Sequence, residues 1–349
     1  MAATSAEPIT ILIASPLDAG QVARISDHDP ARIRVVWEPA LLPSARYAAD
    51  HIGVPPDLNE AELERWRALL AEADVLFDFD WLEPAKLPER SLKLRWVQAT
   101  SAGIGEFLAR TGLDRTDIAF TTASGVHAVP LAEFVALSLL YFAKDVPMLQ
   151  ARQARRHWER HDEGELAGTR ILVIGLGKIG QEVARICSAI GVEVWAVRRS
   201  GASDQTPPGV RRVLGTSDLR TALPQVQGLV LACPLTGQTR HLIGARELGL
   251  LPRTAVVVNI GRGNLIVEPA LVDALEGGRL RGAALDVFEE EPLPKGSPLW
   301  NMPNVLISPH SASTVAAENG RIVDIFLANV DRFLRGARLI NLFDRERGY

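Results

Sequence analysis

The chain has 349 residues, of which 47% are hydrophobic and 23% charged, and its formal net charge at pH 7 is -4. This length exceeds what one hydrophobic core usually holds and predicts two domains of a globular protein. The slightly acidic balance argues against a general binder of nucleic acid or of anionic membranes.

The cysteines and the first apolar run bear on where the protein works. Cys187 and Cys233 fall in stretches typical of helix and strand, and their spacing fits neither a metal site nor a disulfide framework. We therefore expect a reduced, cytoplasmic protein that holds no metal. The apolar run at residues 9–14 follows no basic segment and is too short for a signal core or a membrane span.

Short β-rich runs alternate with helical stretches over nearly the whole length, which predicts an α/β protein with parallel sheets. A helix-like stretch, "NEAELERWRALLAEA", covers residues 59–73 of the first part. The strands predicted for this part lie at residues 9–14, 32–37, 74–79, 94–99 and 118–123. Together they predict a small open sheet.

A long apolar helix separates this part from the next. From Pro130, "PLAEFVALSLLYFAKDV" is apolar on nearly all sides until Pro147 interrupts it. Such a helix must be buried, in a domain junction or against a second subunit. A second series of strands follows, predicted at residues 170–175, 192–197, 228–233, 255–260, 282–287 and 304–309. These short, bounded runs suit a sheet covered on both faces.

The last predicted element is a helix within residues 315–336, where an apolar stripe ends near Gly336. We expect this helix to pack back on the first domain, which makes that domain discontinuous. The predicted domains are therefore residues 1–125 with 313–349, and residues 126–312.

The motif "GLGKIG" follows a predicted strand and opens a helical pattern, which is the context of a dinucleotide-binding loop. Gly175 would permit the tight turn, Gly177 would let the backbone approach a pyrophosphate, and Gly180 would let the helix lie close to the strand. The anion would sit at the helix N-terminus. The predicted loop comprises Gly175, Leu176, Gly177, Lys178, Ile179 and Gly180. The alternative is an ordinary glycine-rich turn.

About 20 residues farther along, a protein that binds NAD normally offers an acidic side chain to the ribose 2′-hydroxyl. This chain has Arg198, Arg199 and Ser200 there. Two guanidinium groups and a hydroxyl can bind a 2′-phosphate, which a carboxylate would repel. The sequence therefore predicts NADP(H) in preference to NAD(H), although NAD(H) stays possible. A merely solvated arginine loop is the alternative.

Three ionisable residues lie just beyond strand ends of the second series: Arg262 in "NIGRG", Glu291 in "ALDVFEEEPLP" and His310 in "ISPHSAS". Ligands of open α/β sheets bind outside the carboxyl ends of the strands, so all three could converge on one crevice. Taken singly, a histidine after a strand is commonly a packing or surface residue, and "EEE" is commonly a solvated charge run.

Together with the glycine loop, these residues resemble the D-isomer-specific 2-hydroxyacid dehydrogenase family, in particular its NADP-preferring glyoxylate, hydroxypyruvate and 2-oxo acid reductases. The resemblance is strongest from Trp96 to Ser313. It includes "WVQATSAG", "GVHAVPLAEFV", "GLGKIG", "CPLTGQTRHLI", "NIGRG", "GAALDVFEEEPLP" and "SPH", in family order and at family spacing. It implies two Rossmann-like or flavodoxin-like domains, a discontinuous substrate domain and a dinucleotide-binding domain, with the active site in the cleft between them.

The resemblance also implies the catalytic roles. His310 matches the general acid/base, and an imidazole suits this task because its ordinary pKa of about 6.5 lies near working pH. Glu291 matches the carboxylate that orients the imidazole. Arg262 matches the residue that binds the 2-oxo acid, and the backbone N–H groups of Ala102 and Gly103 would hold the substrate carboxylate.

Further cofactor contacts and a subunit contact are implied in the same way. Trp158 would lie near the partner's active site in a homodimer that uses the helix after Pro130. Asp286 matches an acidic position near the nicotinamide, and Cys233 would be a packing residue. The implied cofactor contacts beyond the glycine loop and the arginines are Cys233, Pro234, Thr239, Ile260, Arg262, Asp286, His310 and Ala312.

The segment "DFDWLEP" should face the substrate side chain. Asp78 and Asp80 would repel a phosphate there, whereas Phe79 and Trp81 suit a small or partly apolar 2-oxo acid. The predicted function is an NADP(H)-dependent reductase that interconverts a 2-oxo acid and a D-2-hydroxy acid. The alternatives are a non-catalytic dinucleotide-sensing interaction protein of the same fold and a phosphoglycerate-type NAD dehydrogenase.

Overall fold

The computed structural model describes residues 7–199, 201 and 206–348. These residues form two compact units, of which the second is Ala128–Ser313 and the first combines the residues before and after it. The first unit is therefore discontinuous in sequence. Its boundaries follow His127 and Ser313, whereas the sequence placed them after residues 125 and 312.

Each unit is built around one sheet. The strands of the first sheet are β1 (Ile9–Ile13), β2 (Ile33–Val36), β3 (Val75–Phe77), β4 (Trp96–Gln98) and β5 (Ala119–Thr121). Those of the second are β6 (Arg170–Ile174), β7 (Glu193–Val197), β8 (Arg212–Leu214), β9 (Gly228–Leu231), β10 (Val256–Asn259), β11 (Gly282–Leu285) and β12 (Val305–Ile307). The strand orders are β2-β1-β3-β4-β5 and β12-β11-β10-β9-β6-β7-β8.

All neighbouring strands in both sheets run parallel. The carboxyl ends of the strands of each sheet therefore share one edge. The predicted α/β fold with two parallel sheets is confirmed.

Helices connect the strands. They are α1 (Ala19–Ser26), α2 (Glu60–Glu72), α3 (Leu87–Arg90), α4 (Gly105–Thr111), α5 (Ala128–Ala143), α6 (Val146–Ala154), α7 (Lys178–Ala189), α8 (Leu219–Ala222), α9 (Ala245–Leu250), α10 (Glu268–Glu276) and α11 (Glu318–Leu334). In the described part of the chain, no helix has the length and apolar character needed to cross a membrane.

The helix α11 completes the core of the first unit. The ring of Phe326 meets that of Phe77 edge to face with centroids 5.2 Å apart, and lies 5.1 Å from the ring of Trp96. Ile322 and Val330, on the same face of the helix, are fully buried. The first sheet thus receives one of its covers from the end of the chain.

The second sheet is covered on both faces, as its apolar strands predict. On one face, Leu139 and Phe142 of α5 pack in one cluster with Val183 and Cys187 of α7. A second cluster, around Leu229, covers the other face. Because both faces of this sheet are covered, the candidate site lies at an edge of the sheet.

Two local predictions were wrong. The edge strand β8 was missed, because only three residues form it and its first, Arg212, is exposed. The apolar helix ends at Ala143 instead of continuing to Pro147, because Asp145 adopts a left-handed backbone conformation (φ 46°). Pro147 then occupies the first turn of α6, where its missing N–H costs nothing.

Candidate active site

The glycine loop joins β6 to α7. Gly175 has φ 103°, which glycine adopts readily, and a Cβ atom there would lie 2.7 Å from the backbone of Cys233. A Cβ atom on Gly180 would overlap the carbonyl oxygen of Gly175, so α7 rests directly on the loop. Both glycines are therefore required by close backbone packing.

Gly177 differs from its neighbours, because a Cβ atom there would meet no atom within 4 Å. The residue precedes α7 in extended conformation and caps it without a side-chain hydrogen bond. Lys178 begins the helix and is exposed. Open space before a twelve-residue helix N-terminus fits a bound pyrophosphate.

The two arginines follow the end of β7. The backbone N–H of Arg198 donates to Leu214 O (3.1 Å), and its Nε donates to Gly201 O (3.1 Å). Arg199 is exposed. Ser200, the third residue predicted for this site, lies outside the described residues. The loop therefore presents positive charge beside the carboxyl end of β7.

The loop after β9 is shaped by Thr239. Its hydroxyl donates to Pro234 O (2.7 Å) and accepts the N–H of Thr236 (2.8 Å). Burial raises the pKa of the Cys233 thiol to about 12, which keeps it protonated at neutral pH. Cys233 packs in the apolar cluster around Leu229.

Arg262 is positioned by the turn that follows β10. The buried Asn259 donates from Nδ2 to Arg262 O (2.9 Å) and accepts the N–H of Gly261 at Oδ1 (3.1 Å). The guanidinium Nη1 donates to Gly261 O (2.7 Å). The side chain therefore leaves the strand end in a defined direction.

The glycines beside Arg262 allow close packing of its turn. A Cβ atom on Gly261 would lie 2.7 Å from Leu265 Cδ1, and one on Gly263 would overlap the carbonyl group of Phe288. Gly263 therefore lets the Arg262 turn pack against the backbone that leads to Glu291.

Asp286 organises the backbone around His310. Its Oδ1 accepts the hydroxyl of Ser308 (2.6 Å) and the N–H groups of Ser311 and Ala312 (both 2.9 Å). Its backbone oxygen accepts the N–H of His310 (2.9 Å). Because the carboxylate is buried and meets three donors, its structural role is to fix this turn.

His310 lies in the turn that Asp286 holds, with a left-handed backbone (φ 53°) that is costly for a residue with a Cβ atom. Its Nδ1 lies 2.7 Å from Oε2 of Glu291. Oε1 of the same carboxylate accepts the N–H of Phe288 (3.0 Å). The Glu291 carboxylate therefore orients the His310 ring, and the N–H of Phe288 orients that carboxylate.

The charge of Arg262 affects the pKa values of both His310 and Glu291. The hydrogen bond to Glu291 raises the pKa of His310 above its ordinary value, while burial and the Arg262 charge oppose the shift. Burial acts to raise the pKa of Glu291, but hydrogen bonds from His310 and Phe288 N–H, together with the Arg262 charge, hold it lower than usual. The pair thus favours an imidazolium beside a carboxylate.

The loop that contains Ala102 and Gly103 follows β4 in the first unit. Ala102 is half-buried and Gly103 exposed, and the N–H of Gly103 donates to Ser101 Oγ at 3.3 Å. The long distance of this local bond indicates a weak interaction. Since β4 is parallel to its neighbours, the loop lies at the carboxyl edge of the first sheet.

Three residues of "DFDWLEP" make contacts within the first unit. Asp80 is buried and accepts hydrogen bonds from Trp66 Nε1 (2.9 Å) and the N–H of Leu82 (3.0 Å). The ring of Trp81 lies 6.2 Å from that of Trp66. The ring of Phe79 lies 4.6 Å from that of Phe107. Asp80 is thus buried, and the rings of Trp81 and Phe79 pack against the core of the first unit.

Asp78, in the same segment, accepts the hydroxyl of Thr100 at 2.9 Å. Burial raises the pKa of its carboxyl group. Asp78 therefore supports the start of the loop that leads to Ala102.

Sequence reasoning missed Asn259 and Ser308, which shape the turns around Arg262 and His310. A polar residue at the end of an otherwise apolar strand was the available signal for Asn259. Among the residues described, no cluster of three His, Cys, Asp or Glu side chains is arranged to bind a metal ion.

Comparison with known proteins assigns the family. The model for the D-isomer specific 2-hydroxyacid dehydrogenase NAD binding domain matches residues 136–312. The glyoxylate reductase of Aeropyrum pernix is 35% identical over 288 residues, which cover 79% of this chain and 84% of that protein. The D-3-phosphoglycerate dehydrogenase of Methanocaldococcus jannaschii is 34% identical over 241 residues, covering 65% of this chain but 45% of that protein. The chain therefore belongs to the D-isomer specific 2-hydroxyacid dehydrogenase family.

Solved structures agree. A D-isomer specific 2-hydroxyacid dehydrogenase from Xanthobacter autotrophicus Py2, in complex with NADPH and MES, aligns with a TM-score of 0.78 at 28% identity and covers 99% of this chain and 100% of that chain. The NADPH-dependent glyoxylate/hydroxypyruvate reductase of Sinorhizobium meliloti, in complex with NADP and sulfate, aligns with a TM-score of 0.77 at 25% identity, covering 98% and 100%. By class the protein is an oxidoreductase that uses a nicotinamide dinucleotide.

Proposed function

We propose that the protein reduces a 2-oxo acid to a D-2-hydroxy acid with NADPH, and catalyses the reverse reaction with NADP⁺. The observation that carries this proposal is the 2.7 Å contact between His310 Nδ1 and Glu291, formed beside the charge of Arg262 at the carboxyl edge of the second sheet. When bound, the nicotinamide supplies the hydride that adds to the second carbon of the substrate.

His310 is the general acid in reduction and the general base in oxidation. With Nδ1 engaged by Glu291, Nε2 is the ring nitrogen that donates a proton to the carbonyl oxygen as the C–H bond forms. Negative charge develops on that oxygen as the hydride adds, and the proton from His310 converts the oxygen to a hydroxyl group. In the reverse direction, neutral His310 takes the hydroxyl proton.

Arg262 binds the acid. Its planar guanidinium can contact a carboxylate oxygen and the carbonyl oxygen of the same substrate, and a fixed fork orients the carbonyl for attack. The backbone N–H groups of Ala102 and Gly103 bind the other side of the carboxylate in this proposal.

The cofactor is NADP(H) in this proposal, with NAD(H) a poorer substitute. The open approach at Gly177 and the N-terminus of α7 accept the pyrophosphate, and Arg198 and Arg199 bind the 2′-phosphate. The NADPH and NADP complexes of the two solved relatives support this preference. Cys233, Pro234, Thr239, Ile260, Asp286 and Ala312 complete the proposed cofactor contacts.

The direct test measures NADPH oxidation with glyoxylate, hydroxypyruvate, pyruvate and phenylpyruvate. We expect turnover with at least one acid, and a fall in kcat of about 100-fold to 10,000-fold for His310→Ala. NADPH binding, followed by nicotinamide fluorescence, should persist in the variant. Binding without turnover of any acid by the unaltered protein would favour a dinucleotide-sensing role instead.

We also propose a homodimer. Leu137 and Leu140 of α5 are 56% and 39% exposed, and Leu149 of α6 is 39% exposed, so these helices present an apolar surface. Trp158, which is 96% exposed, would then approach the partner's active site. Light scattering after size exclusion tests this proposal, and a monomer at micromolar concentration would contradict it.

A further inference from the structure

Residues 339–348, which we call the strap, run along one edge of the first sheet. The edge strand on that side is β5. Leu342 forms an antiparallel bridge with Thr121 of β5, and the N–H of Phe343 donates to Phe120 O (2.8 Å). An edge strand has unpaired backbone groups, and the strap satisfies some of those of β5.

The strap is anchored to the first unit on both sides of this pairing. The buried Phe343 packs in the core of the unit, and Nη2 of Arg345 donates to Ile118 O (2.7 Å). Oδ1 of the buried Asn329 accepts the N–H of Ile340 (2.7 Å), and its Nδ2 donates to Ile340 O (3.1 Å). The strap therefore has a defined position on the unit.

Asn341 of the strap holds the turn that follows β5. Its backbone is left-handed (φ 55°), a conformation that asparagine adopts more readily than most residues. Its Nδ2 donates to Thr122 O (3.2 Å) and to Ser124 O (2.8 Å), and its backbone oxygen accepts the N–H of Thr122 (3.1 Å). Three hydrogen bonds from one residue thus fix the turn at residues 122–124.

This turn in turn holds the start of the loop of Ala102 and Gly103. Ala123, the middle residue of the turn, donates its N–H to Ser101 O (3.0 Å). Ser101 directly precedes Ala102. The position of the loop start therefore depends on the turn that Asn341 fixes.

The strap also meets the far end of the same loop. Gly105 begins α4, and a Cβ atom there would overlap the carbonyl oxygen of Gly348. Any side chain at residue 105 would have to displace the strap. The loop between Ser101 and Gly105 is thus supported at both ends by residues of the strap or by the turn that the strap holds.

We propose that the strap positions the loop of Ala102 and Gly103 for the substrate carboxylate, with Asn341 and Gly105 as positioning residues. The proposal rests on the proposed reductase function, in which the N–H groups of this loop bind that carboxylate. Successive N–H groups bind an anion only when they point to one place. Because every 2-oxo acid carries the carboxylate, a displaced loop should weaken the binding of all of them to a similar extent.

The test measures steady-state kinetics for glyoxylate and phenylpyruvate with saturating NADPH. Asn341→Gly keeps access to the left-handed backbone but removes the side-chain donor to the turn. KM for both acids should rise by about 3-fold to 30-fold, while kcat changes by less than about twofold. Gly105→Ala, which displaces Gly348, should act in the same way. NADPH should bind both variants as it binds the unaltered protein, because its proposed contacts belong to the second unit.

Each variant has a matched control. Glu346→Gln alters an exposed side chain of the strap, and should leave KM unchanged. Gly249→Ala adds a Cβ atom to a glycine of α9 where no atom lies within 4 Å, and should also leave KM unchanged. Amide hydrogen exchange at residues 101–104 gives a readout that needs no turnover. It should be faster in Asn341→Gly than in Glu346→Gln or the unaltered protein.

The strap proposal is overturned if KM stays within about twofold in either Asn341→Gly or Gly105→Ala. It is also overturned if kcat falls while KM is unchanged, because that pattern indicates a smaller fraction of folded enzyme. Failure of the reductase function looks different, because then no acid is reduced although NADPH binds. Hydrogen exchange still decides in that case, and an unchanged rate at residues 101–104 in Asn341→Gly would overturn the positioning role.

Discussion

The carboxylate of Glu291 joins two parts of the site, since Oε2 lies 2.7 Å from His310 Nδ1 while Oε1 accepts the N–H of Phe288 at 3.0 Å. Phe288 belongs to the backbone against which the Arg262 turn packs. The Glu291 side chain therefore links the ring of His310, the proposed acid, to the backbone that supports the turn of Arg262, the proposed substrate-binding residue.

Glu291→Gln should move the pH profile. The Glu291 contact raises the pKa of His310, so its removal lowers that pKa. Reduction needs protonated His310 and is lost as pH rises through this pKa. We therefore expect the alkaline limb of the kcat profile for reduction to shift to lower pH, and the acid limb for oxidation to shift the same way. An unchanged profile would contradict the assignment. Glu290→Gln is the matched control, because Glu290 is exposed.

Asp286→Ala should lower activity through the His310 turn. The substitution removes the side-chain acceptor of Ser308, Ser311 and Ala312, so the left-handed backbone of His310 loses three of the hydrogen bonds that support its turn. Misplacing a reacting group by 1 Å costs about 100-fold in kcat, and we expect a loss of this order. Asp286→Asn keeps an oxygen acceptor and should lose less. Equal losses in the two variants would instead indicate that the charge matters.

Arg262→Lys should distinguish the effect of the positive charge on substrate binding from the effect of the planar guanidinium group. Lysine keeps the positive charge but cannot contact two oxygens in one plane, so KM for the 2-oxo acid should rise by about tenfold or more. Steady-state kinetics with saturating NADPH would measure this change. Arg246→Lys, an exposed arginine of α9, is the control. An unaffected KM would remove Arg262 from substrate binding.

Arg199→Glu should reverse the cofactor preference. A carboxylate would repel the 2′-phosphate of NADPH and could accept the ribose hydroxyl of NADH. The NADPH-to-NADH ratio of kcat/KM should fall by about 10-fold to 100-fold. Arg211→Glu makes the same change of charge at an exposed residue before β8 and should have little effect. A ratio that stays constant in Arg199→Glu would leave the arginines as a solvated loop.

Glu318→Gln should lower the free energy of unfolding more at neutral pH than at acid pH. Although burial opposes it, hydrogen bonds from His127 and His51 lower the pKa of Glu318 to about 2. The ionised carboxylate therefore stabilises the fold fully above the ordinary carboxyl pKa, and this contribution fades as pH falls toward 2. Urea unfolding should show a loss of about 1–3 kcal/mol at pH 7 and a smaller loss at pH 3.

The control for this change is Asp324→Asn on the same helix, since Asp324 is 65% exposed and its pair with Arg24 contributes little. A loss for Glu318→Gln that is equal at both pH values would mean that the ionisation of this carboxyl has no part in stability.

The strands and the glycine loop could be predicted because their signals are local. Runs such as "RILVI" are apolar on both faces, and Gly175 follows one of them directly. The family motifs then predicted Arg262, Glu291 and His310; all three belong to the second unit, and Glu291 contacts His310 at 2.7 Å.

Roles that depend on distant partners could not be predicted. The buried Asp80 has Trp66, fourteen residues earlier, as one of its hydrogen-bond donors. Gly263 is required only because the backbone at Phe288 passes beside it. The alternation of polar and aromatic residues in "DFDW" does not show which side chain is buried, and tertiary packing buries Asp80.

The covering of the first sheet by α11 has a consequence for biosynthesis. The ring of Phe326 packs on Phe77 and Trp96, yet it is translated after the whole of Ala128–Ser313. While the ribosome makes the second unit, one face of the first sheet has not yet received its apolar cover. The nascent first unit therefore exposes a hydrophobic surface of the kind that chaperones bind until α11 leaves the ribosome.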